Sequence, residues 1–109
     1  MGYDERLAER VRKILAPEPT LSERKMFGGL AFMLDGNMCC GIVDERLMLR
    51  LGADLAQSAL EQPHVQPMDF TGRPMTGMVY VAAEGLRGKE LRGWVSQAVG
   101  FVRTLPPKR

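Results

Sequence analysis

Residues 24–43, Arg24-Lys25-Met26-Phe27-Gly28-Gly29-Leu30-Ala31-Phe32-Met33-Leu34-Asp35-Gly36-Asn37-Met38-Cys39-Cys40-Gly41-Ile42-Val43, decide the fold. Two apolar runs flank Asp35-Gly36-Asn37, and glycine and asparagine tolerate the positive φ angles that tight hairpin turns demand. The stretch predicts strands near 25–34 and 38–43 joined at that turn. After a second turn at Asp44-Glu45, Leu47, Leu49 and Leu51 point one way while Met48 and Arg50 point the other. That alternation predicts a strand over 46–51 with one buried and one partly exposed face.

Working outward, Ala53 or Asp54 can start a short helix carrying Leu55, Ala56, Ala59 and Leu60, which must stop before Pro63. Gln62 to Pro67 reads as a loop. Met68 to Thr71 and Met75 to Ala82 read as two further strands around the turn Gly72-Arg73-Pro74, with Val79 and Val81 facing opposite to Tyr80.

Helical spacing appears at both ends. Leu7, Val11, Ile14 and Leu15 form one stripe over residues 3–15, with Asp4 and Glu5 suited to the positive end of the helix dipole and Pro17 beyond its end. Leu91, Val95, Ala98, Val99 and Val102, with Trp94 beside them, form another over Lys89 to Leu105, before Pro106 and Pro107. Gly93 and Gly100 each weaken such a helix by about 1 kcal/mol against alanine, so close approach to the sheet or to a partner is the expected reason for them. The order is α-β-β-β-α-β-β-α. It predicts an α+β domain over 1–109, an antiparallel sheet packed with helices, with 3–105 as its ordered core and 106–109 as a tail.

Composition agrees with one globular core: 109 residues, 45% of them apolar and 26% charged. No run approaches the roughly 18 apolar residues of a membrane span, and the charged N-terminus is unlike a signal peptide, so a cytoplasmic location and no membrane are expected. Cys39 and Cys40 are adjacent on a predicted strand, where neighbours face opposite ways. They are expected as reduced thiols, one in the core and one at the surface.

The run Arg24 to Phe32, followed by Leu34-Asp35-Gly36-Asn37-Met38 and an apolar strand, resembles the TfoX/Sxy N-terminal domain. Leu47-Met48-Leu49-Arg50, Met78-Val79-Tyr80-Val81 and the last helix with Leu91, Trp94, Val95 and Ala98 fall in that family's order, so the resemblance spans nearly the whole chain. It implies an α+β fold similar to the secretion-chaperone-like architecture. It also implies a link to regulators of bacterial competence in which a second, C-terminal domain follows. With the chain ending at Arg109 that second half is expected to be absent, and action that depends on two domains is not carried over. The resemblance implies no catalytic residues.

The residues themselves offer several chemistries, each with a plainer counterpart. Gly28-Gly29 lacks the Lys-Ser or Lys-Thr of a phosphate-binding loop and continues into a strand, so close packing is the expected reason for the pair. His64, the single histidine, sits in a proline-flanked loop without an acid, serine or cysteine at a diagnostic spacing and is expected exposed. Cys39 or Cys40 could act as a thiol nucleophile or redox sensor, but no metal-ligand spacing accompanies them. No metal and no cofactor is expected.

Two surfaces remain. Seven of the eight methionines fall in or beside the predicted strands, and core filling is the simplest account of them. Their alternative is an adaptable interaction surface of Met26, Phe27, Met33, Met38 and Met48, with Trp94. Arg6, Arg10 and Lys13 share a flank of the first helix, and Arg103 lies near the C-terminus with Lys108 and Arg109, although a solvated face and a frayed tail explain them equally well. A net charge of +2 is too small for strong nonspecific attraction to nucleic acid without such a local patch. The leading expectation is a non-catalytic regulatory or protein-interaction module with an unknown protein partner or a second copy of itself. A nucleic-acid-associated regulator is the alternative, and a thiol enzyme through Cys39 or Cys40 the second.

Overall fold

The computed structural model describes residues 3–26, 28–70 and 73–107. Helix α1 (Glu5–Leu15) is followed by strands β1 (Leu21–Met26), β2 (Gly29–Leu34), β3 (Asn37–Val43) and β4 (Arg46–Arg50). Then come α2 (Gly52–Ala59), β5 (Val65–Phe70), β6 (Arg73–Val81), a single 3-10 turn (Ala83–Gly85) and α3 (Lys89–Val102). The strands form one antiparallel sheet in the order β1-β2-β3-β4-β6-β5.

The α+β class, the three helices and the hairpin at Asp35-Gly36 are as the sequence predicts, with both turn residues at positive φ (53° and 79°). The stretch expected as one strand over 25–34 is instead a hairpin of two. Gly28, at φ 73°, takes the left-handed conformation there, and β1 runs back along β2 from Leu21 opposite Leu34 to Met26 opposite Gly29. Ser22 to Lys25 are exposed on both faces of this edge strand, so they carry no apolar alternation to read. The charges of Glu23, Arg24 and Lys25 also discourage pairing with another chain's edge.

On the other edge, β5 begins at Val65 inside the expected loop. Pro67 is tolerated because β5 pairs only with β6 and an edge strand can spare the ladder donor. Arg73 and Pro74, expected in the turn, belong to β6.

One sheet face carries the main core. Leu30, Phe32 and Leu34 of β2, Ile42 of β3, Leu47 and Leu49 of β4, and Val79 and Val81 of β6 pack beneath Leu7, Val11 and Leu15 of α1 and Leu91, Val95 and Val102 of α3. Each such side chain contributes roughly 1.5–3 kcal/mol when fully buried.

Helix α1 starts at Asp4, whose carboxylate accepts from the backbone N–H groups of Arg6 and Leu7 (2.8 and 3.2 Å). The Asp4 N–H donates to the Asp44 carbonyl (2.7 Å), tying the helix start to the β3–β4 turn. Arg12 then bridges Glu9 and Glu23, anchoring the helix to β1. Near the C-terminus, the Asn37 side-chain amide, itself buried, donates to the Pro106 carbonyl (2.9 Å), so the expected tail is held at its first residue.

Two sets of glycines contrast in what surrounds them. A Cβ on Gly29 would lie 2.0 Å from the Ile42 carbonyl oxygen, which explains why the first residue of β2 carries no side chain. At Gly93 and Gly100 an added Cβ meets nothing within 4 Å, so close approach to this chain's own sheet is not the reason for these two.

Opposite outcomes follow for one substitution type. Gly29→Ala should lower the thermal midpoint through a clash worth about 1–3 kcal/mol, whereas Gly93→Ala should raise the midpoint through a gain in helix propensity of about 0.5–1 kcal/mol. Calorimetric melts of both variants check this, and a destabilised Gly93→Ala would contradict the open space beside it.

The ion pair gives a pH dependence. Hydrogen bonding from Arg12 lowers the Glu23 pKa. A lowered folded pKa adds stability above the ordinary glutamate value of about 4.3, and that stability is lost as pH falls through the folded value. Glu23→Gln should therefore cost no more than about 1 kcal/mol at pH 7, the scale of partly exposed pairs. Denaturant titrations should show the gap to the parent protein closing in strongly acid solution.

Candidate binding groove

Helices α1 and α3 lie side by side over the sheet and run in the same direction. Arg10 and Lys13 of α1 flank the start of α3, while Leu15 and Glu18 lie beside its later turns. Two contacts clamp the pair. The Arg10 guanidinium donates to the Leu86 carbonyl (2.7 Å) just before α3, and Arg103 pairs with Glu18 at the far end.

Between the helices runs a groove. One hollow of about 440 Å³ is lined by Arg10, Lys13, Ile14, Gly88, Lys89, Leu91 and Arg92. It shares Ile14 and Arg92 with a second hollow, of about 230 Å³, that continues past Val95 and Val99 to Glu18 and Arg103.

The helical period builds this lining. Leu7, Val11 and Leu15 take one stripe of α1 into the core, which turns Arg10 and Lys13 outward with Ile14 half-buried between stripe and solvent. On α3, Leu91, Trp94, Val95 and Ala98 face inward, leaving Lys89 and Arg92 exposed three residues apart. Among the described residues no carboxylate lies within 4.0 Å of Arg10, Lys13, Lys89 or Arg92, and Glu18, the one acid in the lining, is engaged by Arg103. The result in the first hollow is an apolar floor between cationic walls, which gives way in the second to a mostly polar lining with Glu18, Ser96 and Arg103.

The structure divides the expected basic patch. Lys13 and Arg10 line the groove and Arg103 stands at its far end, where Glu18 partners it. Arg6 turns into a separate hollow that also holds Asp4 and Glu45. Lys89 and Arg92 were not singled out from the sequence. Their exposed three-residue spacing was legible, but 76 residues separate Lys13 from Lys89, and only packing brings them to one groove.

The methionine surface is not an open face. Met48 and Met33 are buried and Met26 and Met38 are half-buried, while Phe27 lies outside the described residues. Trp94, 6% exposed, belongs to the core on the helix-covered side, whereas Met48 packs with Met68, Met78 and Tyr80 on the opposite side of the sheet. The correction at Met48 has a clear cause: a strand whose alternate residues face a second, smaller core has no exposed face. The Arg46 guanidinium lies 4.0 Å from the centre of the Tyr80 ring.

The cysteines also differ from expectation. Both are fully buried, and both join the helix-side core. The register between β2 and β3 shifts after Phe32, where Phe32 pairs with Cys40 and Met33 with Met38, leaving Cys39 as the extra residue of a bulge. A bulge breaks strict alternation, so two neighbours can turn toward one side. Hydrogen bonding with Cys39 and then burial push the Cys40 thiol well above its ordinary pKa, disfavouring the thiolate that nucleophilic chemistry needs. His64 is exposed in the turn before β5, at φ 69°. No group of three or more metal-ligating side chains occurs among the described residues.

The TfoX N-terminal domain family model matches residues 13–102 of the 109, from the second half of α1 to the last residue of α3, and the chain belongs to that family. No curated protein and no solved structure matches it.

Burial sets an expectation for the thiols. In native protein both should resist a thiol reagent, reacting far more slowly than free cysteine, and both should become titratable in denaturant. Rapid native labelling of either would show that the bulge opens in solution.

Proposed function

We propose that this TfoX N-terminal domain is a non-catalytic regulatory module that acts by docking another macromolecule in the α1–α3 groove. The single observation that carries this reading is the groove's lining: four cations from two helices, without carboxylate partners among the described residues, around Ile14 and the buried stripes beneath it. Uncompensated charge of one sign on concave walls favours an oppositely charged partner and speeds the encounter with it.

Regulation of bacterial competence or transcription is the setting that the family resemblance implies, and a docking surface suits such a role. Catalysis through a thiol is disfavoured by the burial of Cys39 and Cys40 and by the raised pKa of Cys40. Their free, unbridged state accords with a reducing, cytoplasmic setting. No helix among the described residues is long and apolar enough to cross a membrane.

The test compares three proteins as affinity baits in extracts of the native cell: the parent, the double variant K13E/R92E, and R24E, whose reversed charge lies on β1 outside the groove lining. All three positions are exposed, so each variant should fold, as circular dichroism can verify. A partner held by the parent and by R24E should be lost from K13E/R92E. Equal retention by all three would remove the groove as the working surface.

A further inference from the structure

We propose that the occupant of the α1–α3 groove is an acidic amphipathic α-helix of a partner protein, laid along the groove with one apolar stripe against Ile14 and carboxylates reaching both walls. This rests on the reading of the groove as the working surface and adds the chemistry of what fills it.

Three features point to that occupant. The first is shape. The groove follows α3, whose 14 residues span about 21 Å at 1.5 Å per residue, the length of a four-turn helix lying alongside. A helix between two parallel neighbours is an established way for one protein to read another's apolar stripe.

The second is the order of chemistry across the groove. Leu91 and Val95 are closed beneath it, while Ile14 is half-exposed on its floor as an apolar anchor point. Arg10 and Lys13 stand on one wall, and Lys89 and Arg92 on the other. Long cationic side chains lay apolar stems along a partner and hold their charges at its rim. A helix with one apolar stripe flanked by glutamates or aspartates is the complementary object.

The third is charge. Five cations face one carboxylate along the two hollows, and that carboxylate is already paired with Arg103. A second copy of this chain placed groove to groove would set cations against cations, because a two-fold interface joins each patch to itself. Single-stranded nucleic acid would meet no aromatic side chain in the lining on which to stack a base, the interaction that gives such grooves much of their affinity.

Fluorescence anisotropy on the full chain tests the proposal. The probes are a set of helix-stabilised peptides of about 14 residues with a leucine stripe in each register and flanking glutamates. Beside them go the same peptides with glutamine in place of glutamate, and a labelled single-stranded oligonucleotide. At least one acidic peptide should bind, weakening at least tenfold on glutamine replacement, in K13E/R92E and in high salt, while R24E binds as the parent does.

Glutamine peptides that bind as well as acidic ones would overturn the proposal, as would acidic-peptide binding unchanged in K13E/R92E. Binding of the oligonucleotide alone would overturn it in favour of nucleic acid. Absence of peptide binding, alongside a captured partner that K13E/R92E still loses, would discard the acidic helix and leave the groove reading standing. Absence of both would end both.

Discussion

Burial of one face of a six-stranded sheet is the constraint on which the rest of this structure depends. Leu30, Phe32, Ile42, Leu47, Leu49, Val79 and Val81 converge there, and a sheet cannot leave such a surface in water. Helices α1 and α3 cover it together with Ala56 and Ala59 of α2, and α1 and α3 each bring one apolar stripe and one charged flank. Two cylinders laid side by side leave a furrow, and the residues at its lips are those at the boundary of each stripe. Arg10, Lys13, Lys89 and Arg92 occupy that boundary. The groove is thus a by-product of covering the sheet, and its cationic character is what the sequence adds to the geometry.

The same demand explains the chemistry the fold withholds. The thiols sit under the helices because a bulge at Cys39 turns both neighbours inward, into the part of the molecule water reaches least. On the reverse side, Met48, Met68, Met78 and Tyr80 close into a small second core, where flexible thioethers fill irregular space. A sheet buried on both sides, edged by charged β1 and by proline-bearing β5, presents little of itself to a partner. What remains accessible and distinctive lies between the helices.

Much of this was legible in the residues. The Asp35-Gly36 hairpin, the inward stripes of α1 and α3 and the alternation of Val79, Tyr80 and Val81 follow from local periodicity and turn chemistry, and the structure has all of them. Strand β1 was hidden because an edge strand exposed on both faces has no pattern to detect. The first residues of β5 were hidden because proline argues against a strand unless it is known to be an edge. Met48 was misread because one sequence position cannot show whether the sheet's second face is covered.

The sequence by itself determined the class of fold, the positions of its helices and its clearest turn, because those depend on interactions within a few residues. Its Met-Phe-Gly-Gly hairpin region also carried the family resemblance. Only the tertiary structure decided the burial of both cysteines, the splitting of the methionines from Trp94, and the meeting of Lys13 with Lys89 and Arg92 across the groove. Those outcomes depend on a register shift and on the docking of helices some 76 residues apart in the chain, which no local pattern encodes.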